Sequence, residues 1–203
     1  MNVLYITANP KNVDDSYSLR LGEHFLNEYR RLRPHDKIEH VDLFSVDLPP
    51  LDKDMLSLWD KHSDIEETHT NPFVEQFIQA DRYILVTPLW NMHAPSQVKA
   101  YIDQLIVPGK TFQFTETSVE GMLSGKKMIH IQSRGGIYSE GKLKGLESAN
   151  SYIQTIFSLI GVTDYEHVFI EGTSTYPDEA EDRLKEAKES AKQVAQRFSQ
   201  DQS

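Results

Sequence analysis

The chain has 203 residues, of which 38% are hydrophobic and 26% charged, a composition typical of one soluble domain with a substantial core. The formal net charge of −10 makes nucleic acid and anionic membrane surfaces unfavourable partners, because both carry negative charge. Cysteine is absent, which excludes disulfides, thiolate nucleophiles and thiol redox chemistry, so any redox activity needs a bound cofactor.

The first predicted element is a strand, because the apolar run Val3–Ile6 lies almost at the start of the chain. The N-terminus has neither the basic segment nor the long apolar segment of a signal peptide, so we expect a cytoplasmic protein. No segment approaches the length of a membrane-spanning helix.

Apolar residues at helical spacing predict a helix over Ser18–Leu32, and alternation over Lys37–Leu43 predicts a strand at a sheet edge.

The segment Asp47–Thr70 is polar and contains two prolines, which indicates a loop with a short helix around Met55–Lys61. A helix is predicted over Asn71–Ala80, with Pro72 at its first helical position. Three further strands, rich in β-branched and aromatic residues, are predicted at Tyr83–Val86, Met128–Ile131 and His167–Ile170. Three further helices are predicted at Ser96–Ile106, Ser148–Ile160 and Asp178–Phe198.

Strands that alternate with helices predict an α/β fold with a doubly wound parallel sheet, and five strands favour the flavodoxin-like order 2-1-3-4-5. We expect residues 1–203 to form one domain of this kind. Ligands of such sheets bind beyond the carboxyl ends of the strands. The candidate segments are therefore Thr7–Pro10 with Ser16–Ser18, Thr87–Met92, and Gln132–Gly136.

The first of these segments offers hydroxyls and free amides at a helix N-terminus, which together can bind an anion. It contains no glycine, so a single terminal phosphate fits it better than the pyrophosphate of a dinucleotide. The alternative is that Ser16 and Ser18 only cap the helix, and the segment by itself favours capping.

The second and third segments also have two interpretations each. Trp90, Met92 and His93 follow a strand end and can form a wall for a flat ligand, or Trp90 can pack beneath a neighbouring loop. Gly135 and Gly136 can bring backbone amides close to a ligand, or they can form an ordinary tight turn. The eight histidines are scattered without the spacing of metal ligands, so we expect no metal site.

Taken together, these segments resemble the FMN-dependent NADH:quinone oxidoreductases and azobenzene reductases of bacteria. The resemblance runs over nearly the whole chain, and its pieces are the opening VLYITANP, Thr87–Lys127, Ile131–Gly141 and Ile160–Gly172. It implies a flavodoxin-like homodimer with FMN bound near the subunit interface. The implied activity is transfer of electron pairs from NADH or NADPH to quinones and aromatic azo compounds, in a ping-pong order.

The resemblance also assigns roles to residues. Ser16 and Ser18 match a serine-x-serine that holds the FMN phosphate, while Phe114 and Tyr138 line the pocket for nicotinamide and acceptor. No side chain is assigned as an acid or base, because the flavin carries the chemistry. The residues implied to hold the cofactor are Asn9, Ser16, Tyr17, Ser18, Pro88, Leu89, Trp90, Asn91, Met92, Ser133, Arg134, Gly135 and Gly136.

Two other classes of protein stay open at this point. A flavodoxin-type electron carrier is also acidic and binds FMN, but has no substrate of its own. A structural or interaction protein could keep the fold after losing the flavin, since fold alone does not determine function. This sequence also departs from the usual family pattern at Met92 and His93, where an aromatic and a small polar residue are more common.

Overall fold

The computed structural model describes residues 1–53, 56 and 71–201 of the chain. The short helix expected around Met55–Lys61 lies, apart from Leu56, outside the described residues. Single 3₁₀ turns occur at Val13–Asp15, Gly141–Leu143 and Pro177–Glu179. The strands and helices in chain order are β1 (Asn2–Thr7), α1 (Tyr17–Leu32), β2 (Lys37–Asp42), α2 (Pro72–Gln79), β3 (Arg82–Pro88), α3 (Ser96–Leu105), β4 (Phe112–Phe114), β5 (Val119–Gly121), β6 (Lys127–Ser133), α4 (Ala149–Leu159), β7 (Asp164–Ile170) and α5 (Ala180–Ser199).

Five of the strands form a parallel sheet in the order β2-β1-β3-β6-β7. The pairs Ile6–Leu85 and Val86–Ile131 illustrate its register across the centre. Every residue of β3 is buried, as expected for a central strand with helices on both faces, whereas β2 lies at an edge and buries only Val41. The predicted strand order and the edge position of the second strand are both confirmed.

Two hydrophobic clusters lie on opposite faces of the sheet, because successive side chains of a strand point to opposite sides. On β3, Leu85 joins the cluster beneath α2, α3 and α4, while Ile84 and Val86 join the cluster beneath α1 and α5. Helix α1 comes close to β3 at Gly22, where a Cβ atom would lie 2.7 Å from Cγ2 of Val86. Helices therefore cover both faces of the sheet, and the loops that follow the strands lie at its carboxyl-terminal edge.

The helix ends follow local chemistry. The Asn71 side chain accepts a hydrogen bond from the amide of Val74 at 2.9 Å, and Pro72 occupies the first helical position as predicted. Helix α4 ends before Gly161, whose φ of 96° is left-handed and suits glycine at that place.

A small antiparallel hairpin formed by β4 and β5 was not predicted. Each of its strands has only three residues, and most of them are exposed, so no apolar pattern marks them. The hairpin lies against the end of α4 at Gly121, where a Cβ atom would lie 2.1 Å from the amide nitrogen of Gly161. Its outer strand carries Phe114, whose side chain is 72% exposed.

The amino-terminal end of the sheet holds a fully buried arginine. Arg82 begins β3, and its guanidinium donates to the carbonyl oxygens of Phe198 and Gln200 and forms an ion pair with Asp201. The rings of Tyr29 and Phe198 each lie 5.7 Å from its guanidinium carbon. Arg82 therefore fixes the end of α5 to the sheet, at the edge opposite the loops discussed below.

Candidate functional site

A cleft of about 300 Å³ opens at the carboxyl ends of β1, β3, β6 and β7. Parallel α/β sheets bind their ligands at this edge. All three segments selected from the sequence contribute to it. Its lining residues are Asn9, Lys11, Asp15, Ser16, Tyr17, Pro88, Leu89, Trp90, Ser133, Gly135, Thr173 and Ser174.

The floor of the cleft at its α1 end is a buried polar cluster. The Asn9 side chain donates to the hydroxyls of Ser16 and Ser18 at 2.8 and 3.2 Å, and the two hydroxyls are 3.1 Å apart. Ser16 also caps α1 by accepting from the amide of Leu19, so the capping interpretation is confirmed for this residue. Ser18 lies inside the helix and has no such role, while the amides of Tyr17 and Ser18 have no partner within the described chain. Two hydroxyls and two free amides converge here, a set of donors suited to an anion.

The turn after β3 presents an aromatic face and free amides. Trp90 and His93 exchange backbone hydrogen bonds of 2.8 and 3.0 Å around Asn91 and Met92, which have φ values of 51° and 64°. Left-handed backbone at two successive non-glycine residues is strained, which is common at ligand sites. The Trp90 ring is 39% exposed and meets Phe44 edge-on, so it both lines the cleft and contacts a neighbouring loop.

The glycine pair after β6 is held by its carbonyl groups. The Gly135 carbonyl accepts from the amides of Ser174 and Thr175 at 2.9 and 3.0 Å, and the Gly136 carbonyl accepts from Gly172 at 3.0 Å. The amides of both glycines have no partner among the described residues. Neither glycine has a positive φ, so the backbone conformation of the turn does not by itself require glycine at these two positions. A Cβ atom on Gly135 would lie 2.8 Å from the Ser174 hydroxyl, which explains glycine by close approach.

Seven predicted site residues lie outside the cleft lining: Ser18, Asn91, Met92, Phe114, Arg134, Gly136 and Tyr138. The Arg134 side chain is 3% exposed and points into the interior, and the carbonyl of Met92 accepts from the amide of Ser148 at 2.9 Å. Phe114 lies on the hairpin, and the Tyr138 ring lies against Gly136. The roles of Phe114 and Tyr138 in a substrate pocket stay predictions.

Four lining residues were missed by the sequence analysis: Lys11, Asp15, Thr173 and Ser174. Thr173 and Ser174 follow β7, so the rule that selected the ends of three other strands would have found them. Lys11 and Asp15 lie between the chosen Asn9 and Ser16, in the same loop. Lys11 brings a positive charge to this end of the cleft and Asp15 brings a negative one.

A buried histidine links the strands beneath the cleft. His130 on β6 is bonded through Nε2 to the Thr87 hydroxyl at 2.9 Å and through Nδ1 to the Asn150 side-chain oxygen at 3.0 Å. Because that oxygen only accepts, the network assigns the proton to Nδ1. Burial, with the nearby charge of Arg134, lowers the pKa of His130 to about 3, so the ring is neutral in the folded protein.

This neutral histidine makes folding stability depend on pH. Since the folded pKa lies below the unfolded value of about 6.5, the stabilisation is complete above that value and is lost as pH falls toward 3. We expect the free energy of unfolding to drop by about 2 kcal/mol between pH 7 and pH 5 from this group. In urea titrations at both pH values, His130→Gln should show a correspondingly smaller drop. Replacing the exposed His35 by Gln is the control, and an unchanged slope in His130→Gln would contradict the assignment.

The described ranges offer neither a metal cluster nor a spanning helix. Within residues 1–53, 56 and 71–201, no cluster of histidine, aspartate or glutamate is arranged to hold a metal ion. In the same ranges, each helix is too short or too polar to span a membrane.

Comparison with known proteins gave matches over almost the entire chain. A family model described as a flavodoxin-like fold matches residues 1–195. An FMN-dependent NADH:quinone oxidoreductase 3 of Bacillus cereus is 38% identical over 208 residues, covering 97% of this chain and 99% of the relative. The FMN-dependent NADH:quinone oxidoreductase of Staphylococcus aureus (strain MRSA252) is 39% identical over 205 residues, with the same coverage of both chains, 97% and 99%.

Solved structures agree with these relatives. An azoreductase from Bacillus anthracis str. Sterne superimposes with a TM-score of 0.90 at 32% identity, covering 97% of this chain and 99% of that one. An FMN-dependent NADH-azoreductase from Bacillus anthracis str. Ames Ancestor, solved in complex with FMN, gives a TM-score of 0.87 at 30% identity, covering 98% and 100%.

Proposed function

Because this chain belongs to the flavodoxin-like family of FMN-dependent NADH:quinone oxidoreductases, we propose that it binds FMN and reduces quinones and aromatic azo compounds with NADH or NADPH. The observation that carries the proposal is the cleft itself. It combines the Ser16 hydroxyl, with the buried Ser18 hydroxyl bonded behind it at the helix N-terminus, with free amides on two further loops and an exposed indole. These donors match a ligand that has a phosphate at one end and a flat polar ring at the other. We also propose that residues 1–203 form a single domain.

The donor groups suit FMN in a definite orientation. Ser16 and Ser18 would hold the phosphate together with the first amides of α1. The amides of Gly135 and Gly136 would meet the polar edge of the ring, and the Trp90 indole would border its face. When bound, FMN supplies the redox chemistry by taking up an electron pair from the nicotinamide and passing it to the acceptor.

The chain contributes electrostatics and shape to this chemistry. The Gly136 amide shares a peptide plane with the Gly135 carbonyl, and the Gly135 amide shares one with the Arg134 carbonyl, which accepts from Thr173. Both amides are therefore held in place and would stabilise negative charge at the ring edge. The acidic surface, with a net charge of −10, makes Lys11 and the α1 amides the local attraction for a phosphate. Because a single pocket would serve donor and acceptor in turn, steady-state rates should give parallel double-reciprocal lines.

A homodimer and a cytoplasmic location complete the proposal. Met92, Leu143 and Leu146 are exposed apolar residues on neighbouring loops beside the cleft, and a second subunit would remove them from water. Sedimentation velocity of the purified holoprotein tests the dimer, which predicts a mass of twice 23.3 kDa. A monomer with full activity would contradict it.

The decisive experiment is the visible spectrum of the purified protein, followed by anaerobic addition of NADH. We expect a flavin spectrum that bleaches with NADH, and multiple turnovers with menadione by this protein alone. A coloured protein that turns over menadione only with an added reductase would be an electron carrier. A protein that stays colourless with added FMN would have lost the cofactor.

Phe114 offers a test of the substrate pocket. Its side chain is 72% exposed and meets only Phe112 edge-on among the aromatic rings of the described residues, so Phe114→Ala should lower the unfolding temperature only slightly. If the ring stacks on acceptors, its loss should raise KM for menadione roughly tenfold while kcat changes little. Met122→Ala, which removes another exposed apolar side chain next to the same hairpin, is the matched control. Equal effects of the two substitutions on KM would remove Phe114 from the pocket.

A further inference from the structure

Arg134 precedes the glycine pair in sequence, yet its side chain does not line the cleft. The guanidinium is buried and lies 3.6 Å from the ring centre of Phe169. Nε donates to the Gln132 side chain at 2.8 Å and Nη1 donates to Glu171 at 3.0 Å. Nη2 lies 3.0 Å from Oε1 of Glu147 without the geometry of a hydrogen bond, so this contact is an ion pair.

Glu171 extends the cluster to the loop that follows the glycines. Its carboxylate accepts from the amides of Tyr138 and Ser139 at 3.0 and 3.3 Å and from the Ser139 hydroxyl at 2.5 Å. Burial alone would raise the pKa of Glu171, but hydrogen bonds from Ser139 and Arg134 outweigh burial and hold the pKa below its usual value. The carboxylate therefore stays charged and keeps this loop against the end of β7.

Glu147 extends the cluster in the other direction, to the turn after β3. Its Oε2 accepts from the amides of Ala149 and Asn150 at 3.1 and 3.3 Å, at the start of α4. The next residue, Ser148, donates its amide at 2.9 Å and its hydroxyl at 3.1 Å to the carbonyl of Met92. Arg134 is therefore linked to the left-handed turn as well as to the glycine loop.

We propose that Arg134 is a positioning residue, which fixes the amides of residues 91–92 and 135–136 at the separation that the flavin ring requires, without touching the cofactor. This role rests on the proposed binding of FMN in the cleft. It depends on the planar guanidinium, which bonds to Gln132 and Glu171 and pairs with Glu147 in different directions while its face lies on Phe169. Lysine keeps the charge but has a single ammonium group, which cannot reproduce this geometry.

The test compares Arg134→Lys with Arg82→Lys, since both arginines are buried but lie at opposite ends of the sheet. Quenching of flavin fluorescence measures the dissociation constants of FMN and riboflavin, and visible circular dichroism reports the ring environment at saturation. Arg134→Lys should weaken both flavins by the same factor, roughly tenfold, and alter the dichroism. Arg82→Lys should lower the unfolding temperature and leave both constants within about twofold of the wild type.

Other outcomes overturn the proposal. If Arg134→Lys lowers only the unfolding temperature, the residue has a structural role alone. If it weakens FMN but not riboflavin, it acts at the phosphate end. A wild-type protein that binds neither flavin would refute the proposed function as well, which distinguishes the two failures. If Arg134→Lys does not fold, Glu147→Gln is the second variant. Its side-chain oxygen can still accept from the first amides of α4, but the ion pair with Arg134 is lost. It should weaken the binding of both flavins about threefold.

Discussion

Replacing Ser16 and Ser18 together by alanine is expected to weaken FMN binding at least about a hundredfold and to leave riboflavin binding nearly unchanged. Hydrogen bonds to a charged group contribute about 1.5–3 kcal/mol each, so losing two of them is sufficient for this effect. The selectivity follows because riboflavin lacks the phosphate that the hydroxyls would contact. Titrating the apoprotein with each flavin, and following the quenching of fluorescence, measures both constants.

The control for this double substitution must separate phosphate binding from helix capping. Ser16 caps α1, so its loss also destabilises the fold, by about 1 kcal/mol. Asn71→Ala removes the cap of α2, outside the cleft lining, together with hydrogen bonds to Gln104. It should cost at least as much stability without changing either flavin constant. Ser18→Ala alone should keep most of the free energy of unfolding, and it should still weaken the binding of FMN more than the binding of riboflavin. Equal weakening of FMN and riboflavin in the double variant would refute a phosphate role.

Arg82→Met is expected to lower the free energy of unfolding by roughly 3 kcal/mol, a large share of the stability of a typical domain. Methionine fills much of the space, but it leaves the carbonyls of Phe198 and Gln200 without their donor and Asp201 without its ion pair. The two flanking rings also lose their contact with the cation. Urea unfolding followed by circular dichroism measures the loss.

Arg20→Met is the matched control for this prediction. Arg20 forms a two-bonded ion pair with Glu181, but both side chains are partly exposed, and such pairs contribute about 1 kcal/mol or less. Flavin affinity should not change in Arg82→Met, because Arg82 lies outside the cleft lining at the opposite edge of the sheet. A loss for Arg82→Met no larger than that for Arg20→Met would mean that the burial of Arg82 contributes little.

The sheet could be read from the sequence where strands are buried on both faces. The run Val3–Ile6 corresponds to β1, with polar Asn2 and Thr7 added at its ends. For β7 the sequence indicated only the apolar half, His167–Ile170, because two of the first three residues of this edge strand, Asp164 and Glu166, are charged. The hairpin at Phe112–Phe114 could not be found, since three mostly exposed residues produce no periodicity.

The site was predicted in part, because the rule for strand ends identifies loops but not side-chain directions. It brought Asn9, Ser16 and Trp90 into one cleft correctly. It could not reveal that Arg134 points inward, because this depends on carboxylates at positions 147 and 171, which are distant in sequence. The sequence also could not show that the amides of Gly135 and Gly136 are free, because this depends on loops that meet only in three dimensions.

The cleft has a consequence for how the protein is made. Its walls come from chain segments as far apart as Asn9 and Ser174, so a ribosome must release most of the polypeptide before they can meet. Cofactor capture is therefore a late event of biosynthesis and cannot guide the early steps of folding. Until β6 emerges and docks, one edge of the nascent β3 is unpaired and apolar on both faces. The interval before that docking is when the growing chain is most exposed to association with other unfinished chains.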